Sequence, residues 1–180
     1  MRIHELTDAE CREFLEQTNL ARLACSHGDQ PYIVPIYFDF DGEALYSFSM
    51  HGRKIEWMRS NPSVCVEIDE IVGQFDWTTV VVFGRYEELR DTPDHETLRD
   101  RAAQLFRQRP EWWLPAAADR GPSQDRHQEP VVFRIRVTSV HGRRAIRDET
   151  AAAVAARPVK RASASAPWWW IQVLRAKGRD

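Results

Sequence analysis

No apolar run in the 180-residue sequence approaches the ~20 residues that a membrane-spanning helix needs, so no membrane span is expected. The opening residues, Met1-Arg2-Ile3-His4-Glu5, contain no apolar h-region, and no secretory signal is expected. Cysteine is scarce and odd in number. Cys11, Cys25 and Cys65 lie far apart and lack metal-ligand spacing, which excludes a disulfide framework and a cysteine-built metal site. Three isolated thiols suit a reducing, cytoplasmic setting, each as a small buried hydrophobe. There is no internal repeat and no Ser-His-Asp arrangement. Net charge is only −2, but it is unevenly spread. Nine Lys/Arg face three Asp/Glu from Arg143 onward, against sixteen and twenty-four before it. A basic tail of this kind is usually a solvated appendage, and nothing in the body of the chain points to nucleic acid.

What is present reads as strands with interspersed helices. Thr7-Asp8-Ala9-Glu10 is a capping box that opens a helix running to about Gln17. Ala21–Ser26 and Pro31–Phe40 read as strands, with Tyr32, Val34, Ile36, Phe38 and Phe40 alternating along one face. Pro35 cannot donate to a ladder, which argues for an edge position or a ligand in place of a neighbouring strand. Asp41-Gly42 is a hairpin turn into a strand over Glu43–Ser49. A short helix, about Arg53 to Ser60, stops at Asn61-Pro62. Strands follow over Ser63–Ile71 and Trp77–Leu89, the second with Gly84 as a bulge or close-approach point. Thr92-Pro93 opens a helix with Leu98, Ala102, Leu105 and Phe106 as its apolar stripe. A loop over Pro110–Pro130 leads to a last strand over Val131–Ala145, after which Ala151–Pro167 is a low-complexity linker. Six strands with helices outside them suggest a closed or partly closed β-barrel. The expected division is a barrel domain over 1–147 and a basic, Trp-containing extension over 148–180.

The stretch Tyr46 to Pro62, YSFSMHGRKIEWMRSNP, carries the main functional signal. Arg53 and Lys54 sit side by side where the short helix begins. Two cations there oppose the helix dipole, a cost that a bound anion would offset. Unpaired N–H groups at a helix start favour anions too. Arg53 offers a planar fork, and Lys54 a mobile point charge. Ser47 and Ser49 lead along one strand face to the same spot, and His51 is a further donor. So many donors fit a phosphate monoester better than a carboxylate. A Gly-Arg-Lys triplet is a weak motif by itself, and a solvated surface helix would show the same residues.

The run LYSFSMHGRKIEWMRSNPSVCVEID, with WTTVVVFGRYEEL after it and LARLACSHGDQPYIVPIYFDFDG before it, resembles the pyridoxamine 5′-phosphate oxidase-like superfamily of flavin mononucleotide (FMN)-binding split barrels. With RPEWWLPA and EPVVFRIRVTSVHGRRA it is most similar to the nitroimidazole-resistance-type and flavin-nucleotide-binding branch. The resemblance covers about Leu20 to Ala145. It implies a mainly β fold, a six-stranded split barrel, dimerising with FMN at the interface. Arg53 and Lys54 would hold the FMN phosphate, with Ser47, Ser49 and His51 near it. The backbone of Pro35, Ile36 and Tyr37 would face the isoalloxazine edge. Thr79 stands where the oxidase proper has a glutamine near the flavin, and the oxidase's C-terminal Trp and Arg pattern is absent, which points away from pyridoxamine phosphate as substrate.

The implied activity is an FMN-dependent oxidoreductase acting on a small molecule, with a nicotinamide or similar electron donor. The alternative is a non-catalytic flavin- or haem-binding protein of the same fold, with His27, His51 or His141 as the haem-binding histidine. A deazaflavin-dependent reductase shares the fold as well. Trp77 and Trp112 are candidates to cover a ring or pocket, and Trp113 reads as structural. Trp168–Trp170 is expected to dock on the barrel rather than on a partner subunit or a membrane surface.

Overall fold

The computed structural model describes residues 1–107 and 130–147. The chain opens with β1 (Arg2–Leu6), α1 (Asp8–Gln17), β2 (Leu20–His27), β3 (Gln30–Tyr37), β4 (Asp39–Phe40), β5 (Ala44–Ser49) and α2 (Arg53–Ser60). It continues with β6 (Ser63–Gly73), β7 (Asp76–Glu88), a 3₁₀ turn (Pro93–His95), α3 (Glu96–Arg107) and β8 (Val131–Ile146). All pairings are antiparallel, in the order β3-β2-β6-β7-β8-β5-β4, with β1 added against β8. The sheet is not closed: β3 stands at one end of this order and β4 at the other.

Six of these eight strands, β2, β3, β5, β6, β7 and β8, are those expected from the sequence; β1 and β4 are the difference. β1 is mostly exposed and polar, so no apolar alternation announces it. β4 belongs to the expected Pro31–Phe40 strand but is cut off at Phe38, whose N–H donates to the Asn19 carbonyl at 2.9 Å. The apolar alternation runs through the break, because Ile36, Phe38 and Phe40 all stay buried.

Local chemistry accounts for the ends. The Thr7 hydroxyl accepts from the Glu10 N–H at 3.3 Å, and the Glu10 carboxylate accepts from the Thr7 N–H at 2.8 Å. Asp41 Oδ1 accepts from the N–H groups of Glu43 and Ala44, both at 2.9 Å, and Gly42 supplies the positive φ of 97° that this turn requires. Pro93 starts a 3₁₀ turn rather than the α-helix itself, and α3 follows at Glu96.

The main core gathers Phe14 and Leu15 of α1, Ile55 and Met58 of α2, and the inward residues of the sheet, among them Leu23, Val66, Val82, Phe133 and Ile135. A second cluster forms where Ala102 and Leu105 of α3 cover Ala44 and Tyr46 of β5. β5 is therefore buried on both faces at its start. Cys11 and Cys25 are buried and Cys65 is half-buried, all as free thiols. Burial raises all three above the usual thiol range, as suits packing residues rather than reactive ones.

Between Phe83 and Gly84 the β7–β8 register slips by one residue, leaving Thr138 unpaired in the ladder. The Thr138 hydroxyl donates to the Phe83 carbonyl at 2.9 Å and satisfies it there. No helix among the described residues is long and apolar enough to cross a membrane.

Candidate functional site

α2 spans the expected Arg53–Ser60 and follows Gly52, which provides no side-chain cap. Its apolar side, Ile55 and Met58, is buried in the core. That burial fixes the azimuth of the helix and leaves Arg53 exposed and Lys54 half-buried. At the other end, Arg59 Nε and Nη2 donate to Glu88 Oε2 and Oε1 at 2.7 and 2.9 Å, clamping α2 to β7. The start of the helix is thus held from both its buried face and its far end.

Burial holds the Lys54 ammonium below the usual lysine range, with the Cys25 thiol of β2 acting in the opposite sense. The Arg53 guanidinium carbon lies 5.5 Å from the centroid of the Tyr32 ring, which it covers. Among the described residues, no carboxylate pairs with either cation. The contrast within the chain is sharp: Arg12, Arg22, Arg59 and Arg134 each hold an acidic side chain. Lys54 is thus half-buried beside an arginine, with no carboxylate paired to either side chain among the described residues.

The structure treats the other expected residues differently. Ser47 is buried, and its hydroxyl donates to the Tyr37 carbonyl at 2.7 Å. Its proton is committed to the backbone and does not point to an outside ligand. Ser49 donates to the Met50 carbonyl at 3.1 Å and is only half-buried. His51 is exposed beside the start of α2. Pro35 does lie on an edge strand, opposite Arg22, while the Ile36 side chain points into the core. β3 and β5 are not neighbours in the sheet order, and the Ser47 hydroxyl reaches the Tyr37 carbonyl across that gap.

Thr79 is set apart from the basic pair within one chain. Its hydroxyl donates to Glu67 Oε1 at 3.2 Å on the outer face of the sheet. It pairs with Asp69, four residues along β6 from Cys65, or roughly 13 Å at a strand's rise. There it joins Arg22, which binds both Glu67 and Asp69, in a cleft also lined by Ile71 and Trp77.

The three histidines considered for haem stand apart. His27 contacts Ser60, His51 is at the α2 corner, and His141 lies across from Phe83 at 6.1 Å between ring centroids. No group of three or more His, Cys, Asp or Glu among the described residues is placed to hold a metal. Trp112, Trp113 and Trp168–Trp170 lie outside the described residues.

The family model described as pyridoxamine 5′-phosphate oxidase matches residues 7–144. The chain belongs to the pyridoxamine 5′-phosphate oxidase family. An uncharacterized protein of Rhizobium meliloti is 43% identical over 124 residues, which is 69% of this chain and 82% of that protein. Among solved structures, a FAD-binding protein of Mesorhizobium loti is 39% identical, with a TM-score of 0.67, covering 82% of this chain and 99% of that one. A FAD-binding protein of Mycobacterium smegmatis shares the fold at 19% identity, with a TM-score of 0.57, covering 79% of this chain and 98% of that one. The antiparallel, unclosed sheet described above is the split-barrel architecture of this oxidase family.

Three residues near the basic pair escaped the sequence reading: Tyr32, Trp57 and Cys25. Trp57 carried a signal, since it lies four residues after Arg53 and so on the same side of the helix. Tyr32 and Cys25 carried none, because they reach the corner through the pairing of β2 with β3.

Proposed function

We propose that the chain binds flavin through the phosphate of an FMN unit, gripped by Lys54 and Arg53 at the start of α2. The observation that carries this reading is the pair of adjacent cations with no acidic partner among the described residues, one of them half-buried, at a helix start. A phosphate monoester supplies the missing charge and accepts from both side chains and from the free N–H groups of the first turn. Ser49 and His51 border the same corner as secondary donors. The edge backbone of Pro35 to Tyr37 faces the ring system. Ser47 supports that edge from behind by holding the Tyr37 carbonyl.

The second half of the reading is a homodimer that completes the site. Ile33, Ala24, Cys65 and Phe83 are register partners in one row across four strands. Ile33 and Phe83 leave 60% and 46% of their surface exposed in the single chain. An exposed apolar row of this kind favours self-association. Thr79 lies on this outer face, so a partner subunit is its route to the cofactor. Residues 1–147 form the flavin-binding unit and 148–180 the extension.

The activity follows from the cofactor. Bound flavin supplies hydride or single-electron transfer, and the chain supplies grip, orientation and exclusion of water. No acid or base of the chain is required for that; His51 and Glu56 are the exposed titratable side chains of the described residues next to the basic pair. The reading is a cytoplasmic, flavin-dependent oxidoreductase for a small molecule, drawing on a nicotinamide-type donor. Flavin titration of the purified full chain tests it. The wild-type protein binds FMN, and Arg53→Ala with Lys54→Ala loses tenfold or more in affinity, as removal of charge-assisted bonds predicts. Equal FMN affinity in the double variant places the phosphate elsewhere and overturns the reading. Turnover of a nitro-aromatic or quinone acceptor with a nicotinamide donor separates the enzyme from a flavin carrier.

A further inference from the structure

Arg53 is held differently from four other arginines of the chain. Arg12, Arg22, Arg59 and Arg134 each rest on a carboxylate. A carboxylate orients a guanidinium and also offsets its charge. At Arg53 a ring takes that place, with the guanidinium carbon 5.5 Å from the Tyr32 centroid. A ring face attracts the cation through its quadrupole and carries no net charge. The Arg53 fork is therefore oriented and keeps its full charge for an incoming anion.

Tyr32 is in turn fixed from behind. Its ring meets Trp57 edge-on at 5.5 Å, and Trp57 meets His27 at 5.8 Å with an interplanar angle of 31°. Trp57 lies four residues beyond Arg53, about one helical turn or 5.4 Å along the axis, so the cation and the indole meet the Tyr32 ring from one side of α2. Tyr32 and Trp57 also pack against the main core. Hydrogen bonds pin the far end. The Trp57 carbonyl accepts from the Asn61 N–H at 2.7 Å and from the Ser60 hydroxyl at 2.9 Å. The single proton of Ser60 is thereby used, so in the 3.0 Å contact with Ser60 Oγ it is His27 Nδ1–H that donates. The Asn61 side-chain amide donates to Ser26 Oγ at 3.0 Å and ties the end of α2 to β2 beside His27. β2, β3 and α2 thus hold one aromatic brace, with Arg53 at its open end.

We infer that Tyr32 is a positioning residue of the phosphate corner: its ring holds the Arg53 fork in place for the anion without neutralising it, and Trp57 and His27 hold the ring. The inference rests on the flavin reading above and adds to it a residue that acts through Arg53 rather than on the phosphate. An arginine free in solvent loses rotamer freedom when it grips an anion. The brace has fixed that freedom before flavin arrives, so less is lost on binding.

FMN titration of the full chain, stripped of flavin, tests this together with thermal melts of each variant. Tyr32→Leu loses about three- to tenfold in FMN affinity, within the range of a cation–π contact. Tyr32→Phe keeps the ring face and stays within about twofold of the wild type. In an Arg53→Ala background, Tyr32→Leu brings no further loss, because the ring acts through the guanidinium. An equal loss from Tyr32→Leu with and without Arg53 overturns the inference, as does Tyr32→Phe binding as weakly as Tyr32→Leu. Proton NMR of the wild type reads the contact without any substitution. The Tyr32 ring current shifts the Arg53 δ-proton resonances upfield in the flavin-free chain, and the shift persists at saturating FMN. Loss of that shift on binding means that Arg53 leaves the ring to reach the phosphate, and it overturns the inference even where a variant fails to fold. Wild-type affinity in Tyr32→Leu, beside a loss in Arg53→Ala, overturns the role of Tyr32 and leaves the phosphate corner standing. Failure of FMN to bind the wild-type protein overturns the flavin reading itself, and this role with it.

Discussion

The Ser47 hydroxyl donates to the Tyr37 carbonyl at 2.7 Å and ties β5 to the end of β3. The two strands stand far apart in the sheet order, so this bond crosses the seam of the split barrel. Ser47→Ala leaves a carbonyl without that partner at a buried position and is expected to cost about 1–2 kcal/mol of stability. Because the hydroxyl proton is engaged here, FMN affinity at the phosphate end should change less than twofold. Thermal melts and flavin titration of the one variant measure both. A large loss of affinity with unchanged melting would return Ser47 to the phosphate.

If Lys54 holds the flavin phosphate as proposed, binding should depend on pH. Burial holds its ammonium below the 10.5 of an ordinary lysine, with the Cys25 thiol raising it slightly. The unfolded chain therefore binds more protons than the folded one between the folded value and 10.5. Burying the charge costs stability below the folded value, and the cost fades as pH rises through it. A bound phosphate pairs with the ammonium and pushes its pKa back up, so binding above the folded value takes up a proton. FMN affinity should decline with rising pH, starting below 10.5. Lys54→Arg keeps its charge throughout this range and should flatten the decline. A wild-type profile no steeper than that of the arginine variant would remove Lys54 from the site.

Legibility in the sequence followed the range of the interactions. The capping box at Thr7, the Asp41-Gly42 turn and the bounds of α2 were readable because each is decided within a few residues. The place of Pro35 on an edge strand followed from its missing N–H. β1 was hidden because its five residues, four of them exposed and most of them polar, become a strand only by pairing with β8, some 140 residues away. The basic pair was readable as adjacent charges. Its lack of acidic partners among the described residues was not, since that depends on how the fold places the carboxylates. The Ser47 bond was hidden for a related reason: alternation gave its direction along the strand, and the fold supplied the Tyr37 carbonyl across the seam.

Glu88 anchors the far end of α2. It accepts two bonds from Arg59 and one from the Tyr86 hydroxyl at 3.1 Å. The Arg59 guanidinium is the main cause that holds the Glu88 carboxyl below the usual 4.5. Its stabilising share is present above 4.5 and is lost as pH falls through the lower folded value. Arg59 is largely in solvent, so Glu88→Gln should cost no more than about 1 kcal/mol at neutral pH. The variant should also lose part of the acid-side fall in stability seen in the wild type. Identical acid unfolding of the two proteins would show that the clamp contributes nothing.

At Gly84 β7 has no room for a side chain against β8. A Cβ built there would sit 2.5 Å from the Ile135 Cγ2 and 2.8 Å from the Arg136 carbonyl oxygen. The isoleucine methyl has some freedom to move, but the carbonyl belongs to the ladder beside the slipped register and does not. Gly84→Ala must then push β8 away from β7 in the middle of the main core, an overpacking expected to cost about 1–3 kcal/mol. Gly73, where an added Cβ meets nothing within 4 Å, is the matched control. Its alanine variant should melt close to the wild type. The pair separates steric approach from the general effect of replacing glycine in a strand, because only the first depends on what stands opposite. Equal melting temperatures for the two variants would mean that the strands part at Gly84 without cost.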